Sequence, residues 1–254
     1  SDINYFKRFF VMEEKKNDLI IGRNAVSEAL RSERAIDTLL VAKGERSGSM
    51  GKIIGECREK GIVVKEVDRK KLDFMCGGSS HQGVAAYAAA HEYADVDDIF
   101  AAAEAKGEKP FIIVCDEVED PHNLGAIIRS ADAAGAHGVI IPKRRNATLS
   151  YVVGKTSAGA VEYVPVARVP NLPSLLDELK ERGVWIYDMD GQSWCETDFT
   201  GGVALVIGSE GKGLGRLVKE KCDFIVSLPM KGKVNSLNAS VAAGILMFEV
   251  SRQR

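Results

Sequence analysis

Asn123 and Arg129, Glu210 inside a run of glycines, and Ser236 and Asn238 just before the last apolar stretch are the polar side chains best placed to do chemistry. They are amides, a hydroxyl, a carboxylate and a guanidinium, groups that hold and orient a ligand through hydrogen bonds. No Ser-His-Asp or Cys-His arrangement with a credible base accompanies them, so nucleophilic catalysis is not indicated. His81, His91, His122 and His137 show neither HxxxH nor HExxH spacing, and no metal site is expected.

Three loops carry these residues. The first, Asp116-Glu-Val-Glu-Asp-Pro-His-Asn-Leu-Gly-Ala-Ile-Ile-Arg129, follows the apolar run Phe111–Cys115. Asp120 then Pro121 reads as a helix cap and first turn, and Gly135 as the stop. Leu124, Ile127, Ile128 and Ala131 keep the i, i+3, i+4, i+7 spacing of a buried stripe. At roughly 100° per residue Arg129 lies about 140° from Leu124, off that stripe, and Asn123 is off it too. The second loop, Gly208-Ser-Glu-Gly-Lys-Gly-Leu-Gly-Arg216, follows Val203–Ile207, and its four glycines let backbone approach a ligand closely. It is not a Walker A loop, because Lys212 is followed by Gly213. It is not a dinucleotide fingerprint, because no acidic residue follows at the usual distance of about 20. The third loop, from Pro229, follows Phe224–Leu228. Ser236 or Asn238 can cap the last helix, with Leu237, Val241, Ile245 and Phe248 as its apolar stripe and Gly244 suggesting close helix packing. Taken singly, each loop also has a plainer reading: a surface arginine, a turn with a solvated glutamate, a set of caps. All three, however, leave the carboxyl ends of uniformly apolar strands, where parallel α/β sheets bind ligands.

The elements that must position these loops fall into two parts. Residues 1–18 read as a leader and N-terminal tail, with a native start at Met12. Residues 19–90 read as a small mixed α/β domain: helix Asn24–Ser32, strand Thr38–Ala42, helix Lys52–Lys60, strand Ile62–Val67 and a strand-like Gly83–Ala88. Residues 91–109 read as a linker with one short helix. Residues 110–254 carry the strands Phe111–Cys115, Gly138–Ile141, Val184–Tyr187, Val203–Ile207 and Phe224–Leu228 of an α/β parallel-sheet domain. The net charge of −2 argues against a protein that coats nucleic acid by bulk charge, although residues 19–93 hold 12 basic against 10 acidic side chains. No apolar run approaches the roughly 18–20 residues that cross a bilayer. Cys57, Cys76, Cys115, Cys195 and Cys222 are odd in number and lack CxxC spacing, so they read as buried, reduced thiols of a cytoplasmic protein.

The three loops resemble the three motifs of the SpoU/TrmH family of SPOUT RNA methyltransferases. The matching residues are Asn123-Leu-Gly with Arg129, Gly208-Ser-Glu-Gly, and Leu228-Pro-Met with Asn235-Ser-Leu-Asn-Ala-Ser, in the family's order. The stretch Ile21-Gly-Arg-Asn-Ala-Val-Ser-Glu-Ala-Leu30 resembles the opening of the small RNA-binding domain carried by the 23S rRNA guanosine 2′-O-methyltransferase group. The resemblance implies a C-terminal segment tied in a deep trefoil knot, a rare exception among folds. It implies a homodimer with its active site at the subunit interface, and S-adenosylmethionine bound at Gly208, Leu228 and Leu237. The substrate would be RNA, a guanosine of 23S rRNA or of a ribosomal assembly particle.

In the family's pattern Arg129 is the proposed base, which is chemically awkward for a group with a pKa above about 12. It can instead orient a ribose or phosphate, with Asn123, Glu210, Ser236 and Asn238 aligning the hydroxyl. Arg23, Lys52, Arg69, Lys70 and Lys71, and Lys143, Arg144 and Arg145 after the second strand, are candidate phosphate contacts, with a solvated face as the alternative. Two other readings stand beside this one: a tRNA ribose 2′-O-methyltransferase, and a non-catalytic RNA-binding protein of the same fold.

Overall fold

The computed structural model describes residues 19–31, 35–46, 48–209, 211–233 and 236–254, with the backbone alone at 189–193. The expected leader, Glu210 and Asn235 lie outside the described residues. The chain forms two compact units, one up to Glu92 that also takes in Thr148–Tyr151, the other made of Tyr93–Ala147 and Val152–Arg254.

In the first unit, β1 (Leu19–Ile21), α1 (Arg23–Arg31), β2 (Ile36–Ala42), α2 (Met50–Glu59), β3 (Val63–Val67), α3 (Arg69–Met75) and β4 (Val84–Ala88) follow in order. The sheet runs β1-β4-β2-β3, with β2 and β3 parallel and the other pairs antiparallel. Alternation along β2 sends Leu39 and Val41 to one face and Leu40 and Ala42 to the other. The first face packs with Val26, Leu30, Met50 and Ile53 of α1 and α2, the second with Leu72 of α3 and Cys76. Helices thus cover both faces. The sequence reading missed β1, which at three residues is too short to show a period, and α3, which is short and charged.

The second unit holds α4 (Val96–Lys106), β5 (Phe111–Cys115), α5 (Pro121–Ala134), β6 (Gly138–Pro142), α6 (Tyr151–Thr156), β7 (Val166–Val169), α7 (Leu172–Glu181), β8 (Val184–Ser193), β9 (Gly202–Ile207), α8 (Arg216–Lys219), β10 (Phe224–Ser227) and α9 (Ala239–Gln253). Its six strands run parallel in the order β10-β8-β9-β5-β6-β7. Ile112, Val114, Ala204 and Val206 meet Ile99 of α4 and Leu172, Leu175, Leu176 and Leu179 of α7 on one face. The alternate residues Phe111, Ile113, Val203 and Leu205 are buried on the face where α9 packs against α5. α4 falls within residues 91–109, and its Ile99 belongs to the core of this second unit.

The last helix departs from expectation. Leu237, Val241, Ile245 and Phe248 are exposed, while Ala239, Ala243, Leu246, Met247 and Val250 are buried. α9 is apolar nearly all round, so periodicity could not choose the inward face. Small side chains at 239 and 243 let that side approach α5, and a Cβ on Gly244 would come within 3.5 Å of Ser130 Oγ, an ordinary contact. β10 differs as well: as an edge strand it leaves Phe224 and Ile225 exposed. Cys195 is exposed too, and Cys222 is only partly buried, against the expectation of five buried thiols.

Candidate functional site

Because all six strands are parallel, the loops after β5, β6, β9 and β10 leave one edge of the sheet. Asp120 starts α5 by accepting from the His122 amide at 2.9 Å, with Pro121 in the first turn. That sets Asn123 in the same turn, half-buried. Asn238, not Ser236, caps α9: its Oδ1 accepts from the amides of Ser240 (3.0 Å) and Val241 (3.3 Å). With Oδ1 turned to the helix, Nδ2 donates to Asn123 Oδ1 at 2.9 Å. The first and third loops are therefore joined side chain to side chain.

The glycine-rich loop lies beside this pair. Ser209 and Gly213 exchange backbone hydrogen bonds of 3.2 and 3.0 Å, which turns the loop back over the end of β9. A Cβ on Gly208 would sit 2.7 Å from both Gly213 O and Leu214 N, so this fold-back needs glycine. Asp116, buried at the end of β5, accepts from the Gly215 amide at 2.7 Å and fixes the far side of the loop. Burial pushes the Asp116 pKa up, and the Gly215 N–H partly offsets it. On the other flank Glu117 pairs with Arg145 at 2.7 Å, and the Val118 amide donates to Asn146 Oδ1 at 2.9 Å, clasping the loops after β5 and β6.

Two adjoining clefts result. One, of about 340 Å³, is bounded by Gly208, Leu228 and Leu237, together with Ile207, Leu214, Met230, Ser236 and Asp188. The other, of about 290 Å³, is bounded by Asn123, Asp120, Glu117 and Glu119 and shares Gly208, Ser209, Gly211, Lys212 and Ala239 with the first. Gly208, Leu228, Leu237 and Ser236 thus meet in one cleft, with Asn123 in the next and its partner Asn238 at the start of α9. Arg129 does not join them. It is exposed about two turns further along α5 and makes no hydrogen bond or ion pair with a described residue. Asp116 and Asp188 escaped the sequence reading. Their signal was a carboxylate placed directly after an apolar run, at Cys115-Asp116 and Tyr187-Asp188.

Among the basic candidates, Arg23 is engaged within the first unit, with Nη2 3.0 Å from Glu45 and Nε donating to Gln82 O at 3.0 Å. Arg145 holds Glu117, and Arg144 is exposed. Lys143 is half-buried, and its carbonyl accepts from Arg168 at 3.1 Å. Lys52, Arg69, Lys70 and Lys71 are exposed.

Residues 110–248 match the SpoU rRNA Methylase family model, and residues 19–94 match the model described as RNA 2′-O ribose methyltransferase substrate binding. YacO of Bacillus subtilis (strain 168), assigned to the TrmH family of tRNA/rRNA methyltransferases, is 54% identical over 94% of this chain and 97% of its own length. The SpoU methyltransferase AviRb of Streptomyces viridochromogenes, solved with its cofactor AdoMet, is 27% identical with a TM-score of 0.58, over 92% of this chain and 89% of its own. The TrmH/SpoU tRNA modifying enzyme of A. aeolicus is 28% identical with a TM-score of 0.52, over 62% of this chain and 83% of its own.

S-adenosylmethionine is the methyl donor of this family. The 340 Å³ cleft fits it in kind: aliphatic walls for a flat base, strand-end backbone groups for its edges, and the Asp188 carboxylate as an acceptor. By sequence, by fold and by the three loops that meet at one sheet edge, the chain belongs to the SpoU/TrmH family of RNA methyltransferases.

Proposed function

We propose that this protein methylates a ribose 2′-hydroxyl of RNA, and that the target is a guanosine of 23S rRNA. The observation that carries the reading is the Asn238–Asn123 hydrogen bond, which ties the start of the last helix to the side chain lining the smaller cleft. It puts amide donors and acceptors beside the wall made by Gly208 and Ala239. S-adenosylmethionine supplies a methyl group on a sulfonium, with its own leaving group. Gly208, Leu228 and Leu237 hold it in the 340 Å³ cleft, and Asn123 in the adjoining cleft aligns the ribose hydroxyl, together with its partner Asn238 and with Ser236 from the wall of the first cleft. Glu210 is assigned to the same orienting set. Such positioning is worth several kcal/mol, and a general base about a further 10²–10⁴-fold.

Arg129 is assigned to hold ribose or phosphate rather than to take the proton, since its guanidinium stays charged. Its distance from the clefts and its lack of a partner among the described residues support a role across a dimer interface. The exposed apolar face of α9, with Trp185 and Phe224 at the β8–β10 edge, supports the homodimer itself. The trefoil knot belongs to the same reading. The chain leaves β9, adds β10 on the far side of β8, then returns as α9 against β9 and α5, a crossing of the kind a knot needs. Free thiols throughout suit the cytoplasm, and among the described residues no helix is long and apolar enough to cross a membrane.

The test is transfer of labelled methyl from S-adenosylmethionine to unmodified 23S rRNA, with 16S rRNA and bulk tRNA in parallel, for wild type and Arg129→Ala. The expected product is 2′-O-methylguanosine in 23S rRNA, lost in the variant. Label in tRNA alone moves the substrate to tRNA; a methylated base in place of ribose overturns the assignment.

A further inference from the structure

The Phe74 side chain belongs to neither core face of the first unit. On α3 the buried residue is Leu72, which with Cys76 fills the second face of the first unit's sheet. Phe74 lies on the outside, 68% exposed, the most exposed phenylalanine among the described residues. Lys70 and Lys71 precede it by four and three residues, so all three side chains share one helix face, while Arg69 at the helix start is turned about 140° from Phe74.

The cations beside Phe74 lack ion-pair partners among the described residues, as do Lys52, Arg58 and Lys65 elsewhere in the unit, whereas the rest are paired. Arg31, Lys43, Arg46 and Lys60 of the same unit pair with carboxylates, as does Arg23. Arg69, Lys70 and Lys71 pair with none of the described residues. The nearby acids are engaged elsewhere: Asp68 lies 2.9 Å from Lys43 Nζ, and Asp73 lies 2.7 Å from His81 Nε2. An uncovered aromatic ring thereby shares its helix face with two cations, Lys70 and Lys71, that have no ion-pair partner among the described residues. An aromatic face with flanking cations suits an unpaired nucleobase and its two phosphates. A duplex, whose base faces are stacked away, could use only the cations.

We propose that Phe74 is a stacking platform for an unpaired base of the RNA substrate, with Lys70 and Lys71 holding the flanking phosphates. This rests on the RNA-substrate reading above and deepens it.

The test uses the full chain and measures binding of a roughly ten-nucleotide single-stranded oligoadenylate and of a blunt RNA duplex of about the same length. Phe74→Ala should weaken single-strand binding by about 5- to 100-fold and leave the duplex unchanged, since base–aromatic stacking is sequence-tolerant and absent from a closed helix. Phe74→Trp should bind the single strand at least as tightly as wild type, which excludes a folding defect as the cause. Lys70→Ala with Lys71→Ala should weaken both RNAs and flatten the salt dependence by about one and a half ions. Methyl transfer should respond to Phe74→Ala through KM, with kcat held. Equal binding of the single strand by wild type and Phe74→Ala overturns the platform, as does equal weakening of both RNAs. Failure of methyl transfer with Phe74-dependent binding intact would remove the reaction assignment and leave the platform standing. No binding of either RNA by wild type removes the platform.

Discussion

Asn238 donates from Nδ2 to Oδ1 of Asn123 at 2.9 Å, across 115 residues of chain. The same Asn238 caps α9 with its other atom, so one side chain starts the last helix and locks it to the first turn of α5. The two jobs separate by substitution. Asn238→Asp keeps the capping oxygen but replaces the donor with a second acceptor facing Asn123 Oδ1. Its fold stability should stay within about 1 kcal/mol of wild type, while methyl transfer falls by two orders of magnitude or more. Asn238→Ala should lose about 0.5–2 kcal/mol as well, through the cap. Thermal melts beside methyl-transfer rates check both; full activity in Asn238→Asp would remove the amide bridge from the mechanism.

Gly208 is where the backbone leaves no room. Adding a methyl group there puts it 2.7 Å from Gly213 O and Leu214 N, so Gly208→Ala must open the glycine-rich loop. Overpacking of this kind destabilises by about 1–3 kcal/mol. Because the loop walls both clefts, S-adenosylmethionine affinity by titration calorimetry should drop at least tenfold. Asp116→Ala should act in the same direction by freeing the Gly215 amide. Unchanged affinity in both variants would move the cofactor away from this cleft.

Much of this site was legible because its signals are local. Asp120-Pro121 and Gly135 bracket α5 as written, and Phe111–Cys115 is a strand to the residue. Glycine spacing marked the loop after β9. What was not legible depends on partners far along the chain. The bridge from Asn238 to Asn123 spans 115 residues, and Asp116 acquired its role only when Gly215 came beside it. The inward face of α9 was misjudged because its apolar residues go nearly round the helix, leaving side-chain size and the surface of α5 to choose.

Glu249 gives the protein an acid limb. It is buried near the end of α9, and hydrogen bonds from Arg252 and Gln253 hold its pKa down to about 2 against an ordinary 4.5. Gln253 in turn donates to Thr197 O and accepts from the Phe199 amide, so this cluster ties α9 to the turn before β9. With the folded value below the unfolded one, the unfolded chain takes up the proton first. The contribution is full above pH about 4.5 and is lost as pH falls through about 2. Glu249→Gln should melt lower at neutral pH, with the gap to wild type closing below pH about 4. A constant gap from neutral pH down to pH about 2 would take Glu249 out of the acid limb.

The exposed stripe Val241, Ile245 and Phe248 on α9 bears on where Arg129 works. If two copies close this face, Ile245→Asp should shift the protein to monomer in sedimentation and abolish transfer without unfolding either unit. The sharper experiment mixes two inactive variants. Arg129→Ala and Asn238→Asp chains, refolded together at equal amounts, form half their dimers as hybrids. With Arg129 acting across the interface, each hybrid holds one site with both residues intact, and activity should return to about a quarter of wild type. With Arg129 and Asn238 serving the same protomer's site, every site in the mixture carries a lesion and activity stays absent. The geometry favours the first outcome, because Arg129 sits two turns along α5 from Asn123 and touches neither cleft wall of its own chain.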